Sequence, residues 1–403
     1  MVVLIFSIRI PCMKHNYTLR ITHLLLTLSR LTALLASCAP AASAPDTNVA
    51  MTAAFETAVA QIVESNQPTA TLIPTETPIP TATAPRTPPA LPGMYQTTLL
   101  KSHDIPRAYI ADTCTYLQNK WNSNKAAPGT VVMTIMYHGI AKDESVSDPK
   151  NITVKDHKKL MNSLHELGFQ TINMQQMSDF LYDNANIPKK SVLIIIDDRK
   201  YADNYNEHFR PYYEQWGWTF INGWISAFGG ADNVLAENVA LSKEGWIDYQ
   251  AHSVLHQIPI TDASTDEFIT AEMQGSITNI QTYFNKTPIA FIWFGGNFSK
   301  RAVELGPQFG YKLGFTINPR GPIMYNWVPQ ADTYNDSNPS AIPETPAGNP
   351  LMTLPRYWST NAIDQLDTIS AISDEAAAFA EQNKATELEY YDIVCAPTYG
   401  PIP

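Results

Sequence analysis

The chain has 403 residues, 44% of them hydrophobic, with 19 Tyr, 15 Phe and 8 Trp, and carries a formal charge of −11 at pH 7. That length holds two average domains or one large barrel with appendages, and the aromatic content suffices for one large core. The acidic balance, with no basic stripe along the chain, excludes nucleic acid as a partner class.

Residues 1–38 read as an export signal. Lys14, His15 and Arg20 precede the apolar residues 24–28 and 31–35, and Leu35-Ala36-Ser37-Cys38 closes the segment. Small residues before a cysteine resemble a bacterial lipobox, which implies lipidation of Cys38 and a membrane-anchored protein at the cell surface. An ordinary signal cut after Ala36 or Ala44 is the alternative, and Met13 reads as a better initiator than Met1. No later stretch reaches the roughly 18 apolar residues that span a bilayer. Residues 39–94 are low in complexity, with modest helical character over 46–67 and Pro and Thr dominant over 68–92. Such a segment cannot bury a core and reads as an extended stalk. The globular texture then runs over 95–403. With Cys12 and Cys38 assigned to the signal and its anchor, Cys114 and Cys395 remain, either as a disulfide closing the domain or as two buried thiols.

Within the globular part, strand and helix patterns alternate. Residues 131–136 are a near-continuous apolar run and read as a buried strand. Thr153 caps a helix with Leu160, Met161, Leu164 and Leu167 on one face, stopped at Gly168. Further buried strands are expected at 192–196, 218–225, 246–251, 289–294 and 311–317. Ser264-Thr-Asp-Glu267 has the form of a capping box, opening a helix that carries Ile269, Met273, Ile277 and Ile280, and another helix spans 300–309. Buried strands alternating with amphipathic helices predict an α/β fold with a parallel sheet, whose active residues gather at the carboxyl ends of the strands. Residues 318–350 form a long loop bearing Tyr325, Trp327 and Tyr334, either aromatic platforms for sugar rings or a flap packed on the barrel rim. His157 and His165 are expected on a solvated helix surface.

The chemistry concentrates in two motifs. One apolar strand ends in Asp197-Asp198, and His252 and His256 stand four apart just past another. One carboxylate and two neutral imidazoles form a common site for a divalent ion that keeps open positions, and the second carboxylate is then free to act as a base. That arrangement hydrolyses amides or esters.

In this order and context the residues resemble the polysaccharide deacetylase family (the NodB homology domain, carbohydrate esterase family 4), over roughly residues 130–360. Asp197-Asp198, with Tyr201-Ala-Asp-Asn-Tyr205 behind it, is similar to the family's Thr-Phe-Asp-Asp-Gly segment, and His252-Ser253-Val-Leu-His256 fits its His-Ser/Thr-x-x-His motif. Phe291-Ile-Trp-Phe-Gly-Gly296 occupies the place of Tyr-Pro-Tyr-Gly, and Leu354-Pro-Arg356 is similar to a Leu-Pro-Arg segment near the end of many members. The resemblance implies a distorted (β/α)7 barrel. It also implies a metal held by Asp198, His252 and His256, with Asp197 as general base. The ion would be zinc, with cobalt or nickel as alternatives. An oxyanion and substrate surface is implied around Gly295, Gly296, Trp293 and Arg356. Most members take their proton donor from a late Leu-x-His motif, but no histidine follows His256 here. The permuted poly-N-acetylglucosamine deacetylase branch uses an early Tyr-His motif, which Tyr137-His138 matches, so His138 becomes the expected general acid. Arg199-Lys200 stands where the family has glycine, and the Trp-Phe-Gly-Gly turn lacks the family's tyrosine and proline.

The expected activity is metal-dependent hydrolysis of N-acetyl groups on an extracellular polysaccharide containing N-acetylglucosamine. A non-catalytic carbohydrate-binding protein on the same fold is the alternative, and a different metal amidase or O-acetyl esterase a third.

Overall fold

The computed structural model describes residues 86–142, 148–227 and 232–403. They belong to one compact unit, Ala84–Pro403. The signal segment with Cys38, and residues 39–85 with the helical pattern at 46–67, lie outside the described residues. In chain order the main elements are β1 (Ile105–Arg107), α1 (Thr113–Trp121), β2 (Val131–Tyr137), β3 (Gly139–Ala141), β4 (Asn151–Thr153) and α2 (Val154–Glu166). Then come β5 (Gln170–Thr171), α3 (Met174–Asp183), β6 (Lys190–Asp197), α4 (Ala202–His208), α5 (Arg210–Trp216), β7 (Phe220–Trp224) and α6 (Asp232–Ser242). The chain continues with β8 (Ile247–Ala251), α7 (Asp266–Phe284), β9 (Ala290–Ile292), α8 (Lys300–Phe309), β10 (Leu313–Phe315), β11 (Val328–Gln330), β12 (Tyr357–Trp358) and α9 (Leu366–Tyr390).

The main sheet runs β10-β9-β8-β7-β6-β2-β12, with β5 beside β6, and its strand pairs are all parallel. It is a curled, open half-barrel surrounded by helices, the form a distorted (β/α)7 barrel takes. Alternate residues divide between two cores, as the pleat requires. Met133, Ile135, Ile194, Ile196 and Phe220 face the helices, while Val132, Leu193, Ile195, Ile221, Ile292 and Phe315 fill the barrel interior. With both faces covered, β2 reads as one continuous apolar run, the mark of a parallel sheet. A single segment crosses the open side. Leu354 bridges Phe315 on β10, and Tyr357–Trp358 pair with Ile135 and Met136 on β2, so Arg356 between them is suspended over the barrel interior.

The expected elements are present, with shifts at their ends. Thr153 caps α2, its hydroxyl accepting from Asp156 N. At α7 the cap is Thr265, accepting from Phe268 N, one residue later than the Ser264 box suggests. Helix α9 carries no strong sequence signal, because its inward positions include Ser373, Ala376 and Ala380. Residues at the end of the expected stalk lie along the domain: Leu91 packs on a cluster of Leu117, Tyr391 and Cys395, and Arg86 pairs with Asp392. Cys114 and Cys395 are joined by a disulfide, with Cα atoms 5.3 Å apart.

Of the two readings of the loop over 318–350, sugar platforms or a packed flap, the packing favours the flap, held on the side of the amino end of β2. Ile323 bridges Val132 near the amino end of β2, Trp327 is buried with its indole N–H on Tyr95 O, and β11 pairs with β1. Tyr334 alone of its three aromatics is exposed. One expectation is corrected: His157 is not solvated. It is 1% exposed, with Nδ1 3.2 Å from the Tyr137 hydroxyl and Nε2 2.9 Å from His208 O. His165 is exposed as expected, stacked on Trp216.

Candidate metal centre

Strands β2, β6, β8 and β9 end at one rim, because a parallel sheet delivers all its carboxyl ends to one side. Asp197 is the last residue of β6 and Asp198 the next, His138 follows β2, and His252 follows β8. Among the described residues, the non-glycine positions with positive φ that are not asparagine are Asp198 (φ 69°), Ser253 (φ 68°) and His256 (φ 57°). Left-handed backbone at such residues costs on the order of 1–3 kcal/mol each and persists only where neighbours enforce it. Here they do. Asn222 on β7 donates to both Ile196 O and Asp198 O at 2.9 Å. Buried Glu272 on α7 accepts from Val254 N at 2.8 Å and Leu255 N at 3.1 Å. Sequence reasoning missed both residues, though each left a signal. Asn222 is a polar residue inside an apolar strand, and Glu272 falls between Ile269 and Met273 on the inward face of its helix.

Asp198, His252 and His256 converge. Asp198 Oδ1 lies 3.7 Å from His252 Nε2 and 3.4 Å from His256 Nε2, and the two Nε2 atoms are 3.0 Å apart. Ligands held at 2.0–2.1 Å in a tetrahedron stand about 3.3–3.4 Å from one another, so this spacing suits one small divalent ion. The protonation states fit as well. His252 Nδ1 sits 2.8 Å from Ile292 O; donating its N–H there leaves the Nε2 lone pair facing the cluster. Burial first, and then the neighbouring His252, hold the His256 imidazole down to about 4, so it stays neutral as a ligand must. A His/His/Asp cluster able to coordinate a divalent metal is therefore present.

Asp197 stands beside this cluster, 1% exposed. Its Oδ1 accepts from Arg356 Nη1 at 2.7 Å, and its Oδ2 lies 3.7 Å from His138 Nε2. Burial pushes this carboxyl up, but the positive charges around it, Arg356 foremost, outweigh burial and hold it at about 2. Gly223 pairs with Asp197 across the β6–β7 ladder, and a Cβ there would touch both Asp197 Oδ1 and the His252 Cβ at 3.4 Å. His138 stacks on Trp358, centroids 5.0 Å apart. Burial lowers the pKa of its imidazole, the Asp197 carboxylate opposes that, and Arg356 adds to it.

The substrate surface expected on Arg356, Trp293 and Gly296 is corrected. Arg356 is fully buried, with Nε on Thr316 O and Nη1 on Asp197, so it backs the carboxylate rather than facing the cleft. Trp293 is fully buried on the helix-facing side, its indole N–H donating to Met352 O at 2.7 Å. The Gly296 N–H is used on Trp293 O within its own turn. Glycine is required there because φ is +71° and a Cβ would meet Ile317 Cγ1 at 2.3 Å. Gly295 is exposed, and Phe294 beside it packs on the His256 ring at 3.7 Å. The two residues in place of the family glycine have separate partners. Arg199 donates through Nε to Ile225 O at 2.7 Å and through Nη2 to Ala227 O, while Lys200 Nζ lies 3.6 Å from Asp198 Oδ2.

No family model matches the chain. A Bacillus subtilis (strain 168) protein named "Putative polysaccharide deacetylase YxkH" is 24% identical over 188 residues, 46% of this chain and 64% of that protein. The chain thus spans less than two thirds of that relative's length. Among solved structures, a Streptococcus pyogenes deacetylase, PplD, in complex with acetate is similar at 20% identity, covering 60% of this chain and 98% of that one, with a TM-score of 0.46. A polysaccharide deacetylase from Bacillus cereus matches at 16% identity over 60% of this chain and 69% of its own, TM-score 0.44. IcaB from Ammonifex degensii matches at 14% over 60% and 97%, TM-score 0.45.

Proposed function

We propose that this chain is a metal-dependent N-deacetylase of an extracellular glycan containing N-acetylglucosamine, close in pattern to the permuted poly-N-acetylglucosamine deacetylases. The observation that carries this reading is the convergence of Asp198, His252 and His256 beside a buried Asp197 that accepts from Arg356. Zinc is the ion we propose, on the nitrogen-rich donor set. When bound, such an ion polarises an acetamido carbonyl and makes water acidic enough to attack near neutral pH.

The remaining work falls to the chain's own groups. Asp197 accepts the proton of the attacking water through Oδ2, since Oδ1 is engaged by Arg356. Arg356 keeps Asp197 ionised and aimed, and by the same charge makes it a strong acid once protonated. The proton is therefore passed on, and His138 Nε2, 3.7 Å from Oδ2, is the neighbouring acceptor. The amine leaving the tetrahedral carbon needs that proton, and His138 delivers it. Trp358 stacked on the ring limits the imidazole to motion in its own plane.

Export is part of the proposal. The Cys114–Cys395 disulfide supports an oxidising compartment, and a lipid on Cys38 would then hold the domain at the membrane. The test is acetate released from N-acetylglucosamine oligomers, with and without chelator and with zinc or cobalt restored. Chelator-sensitive release is expected. Glycan binding without release, or acetyl-ester hydrolysis without amide hydrolysis, would replace this reading. His138→Ala should retain metal, lose amide hydrolysis by about 100-fold or more, and lose less on an activated acetyl ester whose leaving group needs no proton. Equal losses on both substrates would remove the proton-donor role.

A further inference from the structure

We infer that Lys200 is a cationic cap on the metal-binding carboxylate, taking up Asp198 Oδ2 so that one oxygen remains for the ion and divalent affinity is held below what the triad would otherwise have. This rests on the metal-centre reading above and concerns a residue that reading does not use.

The two oxygens of Asp198 have divided surroundings. Oδ1 faces both imidazoles, at 3.7 Å and 3.4 Å, while Oδ2 faces the Lys200 ammonium at 3.6 Å. The lysine side chain is 21% exposed and the aspartate 30%, so neither charge is fully screened by water. Its backbone is also pinned on several sides. Asn238 on α6 donates to Lys200 O at 2.9 Å, and Glu237 accepts from Ala202 N at 3.0 Å. Arg199, the preceding residue, is fixed to Ile225 O and Ala227 O, and Asn222 holds Asp198 O. A lysine on so constrained a segment is aimed by the fold.

Two consequences follow, and they share a sign. First, an ammonium on Oδ2 opposes chelation through both oxygens, which lowers the number of donors the protein offers. Second, it repels the ion. The carboxylates of the centre, Asp197 and Asp198, are balanced by the cations Arg356 and Lys200, so the two charges of a bound ion enter an already neutral group. Without Lys200 the same group is singly negative. A unit charge about 5 Å from a divalent ion, even at a dielectric near that of water, corresponds to roughly a tenfold change in affinity, and more in a half-buried site.

The experiment is titration of the full chain with zinc and cobalt by calorimetry, together with the visible absorption of the cobalt form. Lys200→Met should bind either ion about ten- to a hundredfold more tightly, and its cobalt bands should weaken as coordination number rises. Lys200→Arg, which keeps the charge, should restore wild-type affinity and spectrum. Lys200→Gln gives the same reading as Met should that variant fail to fold. Unchanged or weaker binding by a folded Lys200→Met or Lys200→Gln overturns the cap while leaving the centre intact, provided His252→Ala abolishes binding. If wild type and His252→Ala bind metal equally poorly, the centre itself is wrong and the cap falls with it.

Discussion

Two buried arginines organise this domain, and they leave their carboxylate partners in different states. Arg320 donates through Nε to Glu344 at 3.0 Å and 3.1 Å and through Nη1 to Asp104 at 3.1 Å. Glu344 also accepts from Asn318 Nδ2 and from Ala331 N, so both of its oxygens are taken. Arg356 meets one carboxylate oxygen, Asp197 Oδ1, and the other oxygen looks out toward His138 and the metal cluster. The charge balance differs too. At Asp104 burial prevails over Arg320 and raises the pKa, whereas at Asp197 the surrounding positive charges prevail over burial and lower it. A saturated ion pair holds loops together. One with a spare oxygen at the mouth of a barrel leaves that oxygen free for the base role we propose.

This contrast can be broken by substitution, and Asp197 should give the largest effect. Asp197→Asn should lower acetate release by about 10²–10⁴-fold with metal binding retained, as expected for loss of a general base. Asp198→Asn should weaken metal binding as well. Equal metal loss in the two variants would erase the division of roles. Next come the arginines. Arg356→Met and Arg320→Met each strand buried carboxylates, and each should cost about 3–5 kcal/mol in urea unfolding. Among molecules that remain folded, Arg356→Met should be nearly inactive and Arg320→Met close to wild type. Similar specific activities would mean the two centres do the same job.

Away from both centres, reducing Cys114–Cys395 by a Cys114→Ser, Cys395→Ser double substitution should cost about 2–5 kcal/mol, without changing specific activity. The disulfide joins residues 281 apart at the junction of α1 with the C-terminal helices, and none of the groups named at the metal centre lies there. The smallest and most gradual effect belongs to His157, a buried polar group with no carboxylate partner. Burial holds its imidazole down to about 4, against the His208 carbonyl that opposes it. The unfolded chain takes up this proton near 6.5, so between those values it binds more protons than the folded one. Stability contributed above pH 6.5 is therefore lost as pH falls toward 4, up to on the order of 3 kcal/mol. Urea midpoints measured from pH 7 to 4.5 should show that slope, and His157→Gln should reduce it, leaving the part that His256 contributes.

The sequence by itself determined the alternation of strand and helix and the donor set of the metal site. Asp197-Asp198 and His252/His256 are short motifs at strand ends, and a parallel sheet sends all such ends to one rim, so their convergence followed from topology once the strands were read. Local caps such as Thr153 were legible for the same reason, since they involve residues three apart. Only the tertiary structure decided what those groups lean on. Arg356 lies 159 residues from Asp197 and reaches it because one segment crosses the open side of the half-barrel. The resemblance places Trp293 at the cleft because its turn stands where the family has Tyr-Pro-Tyr-Gly. A motif's position does not tell which way its side chain packs, and here the indole is buried on Met352 O. His157 reads as solvated in the sequence because a polar residue on an amphipathic helix looks the same whether water or a tyrosine hydroxyl meets it. Spacing along the chain encodes direction, and partners far apart in sequence are chosen only when the sheet curls.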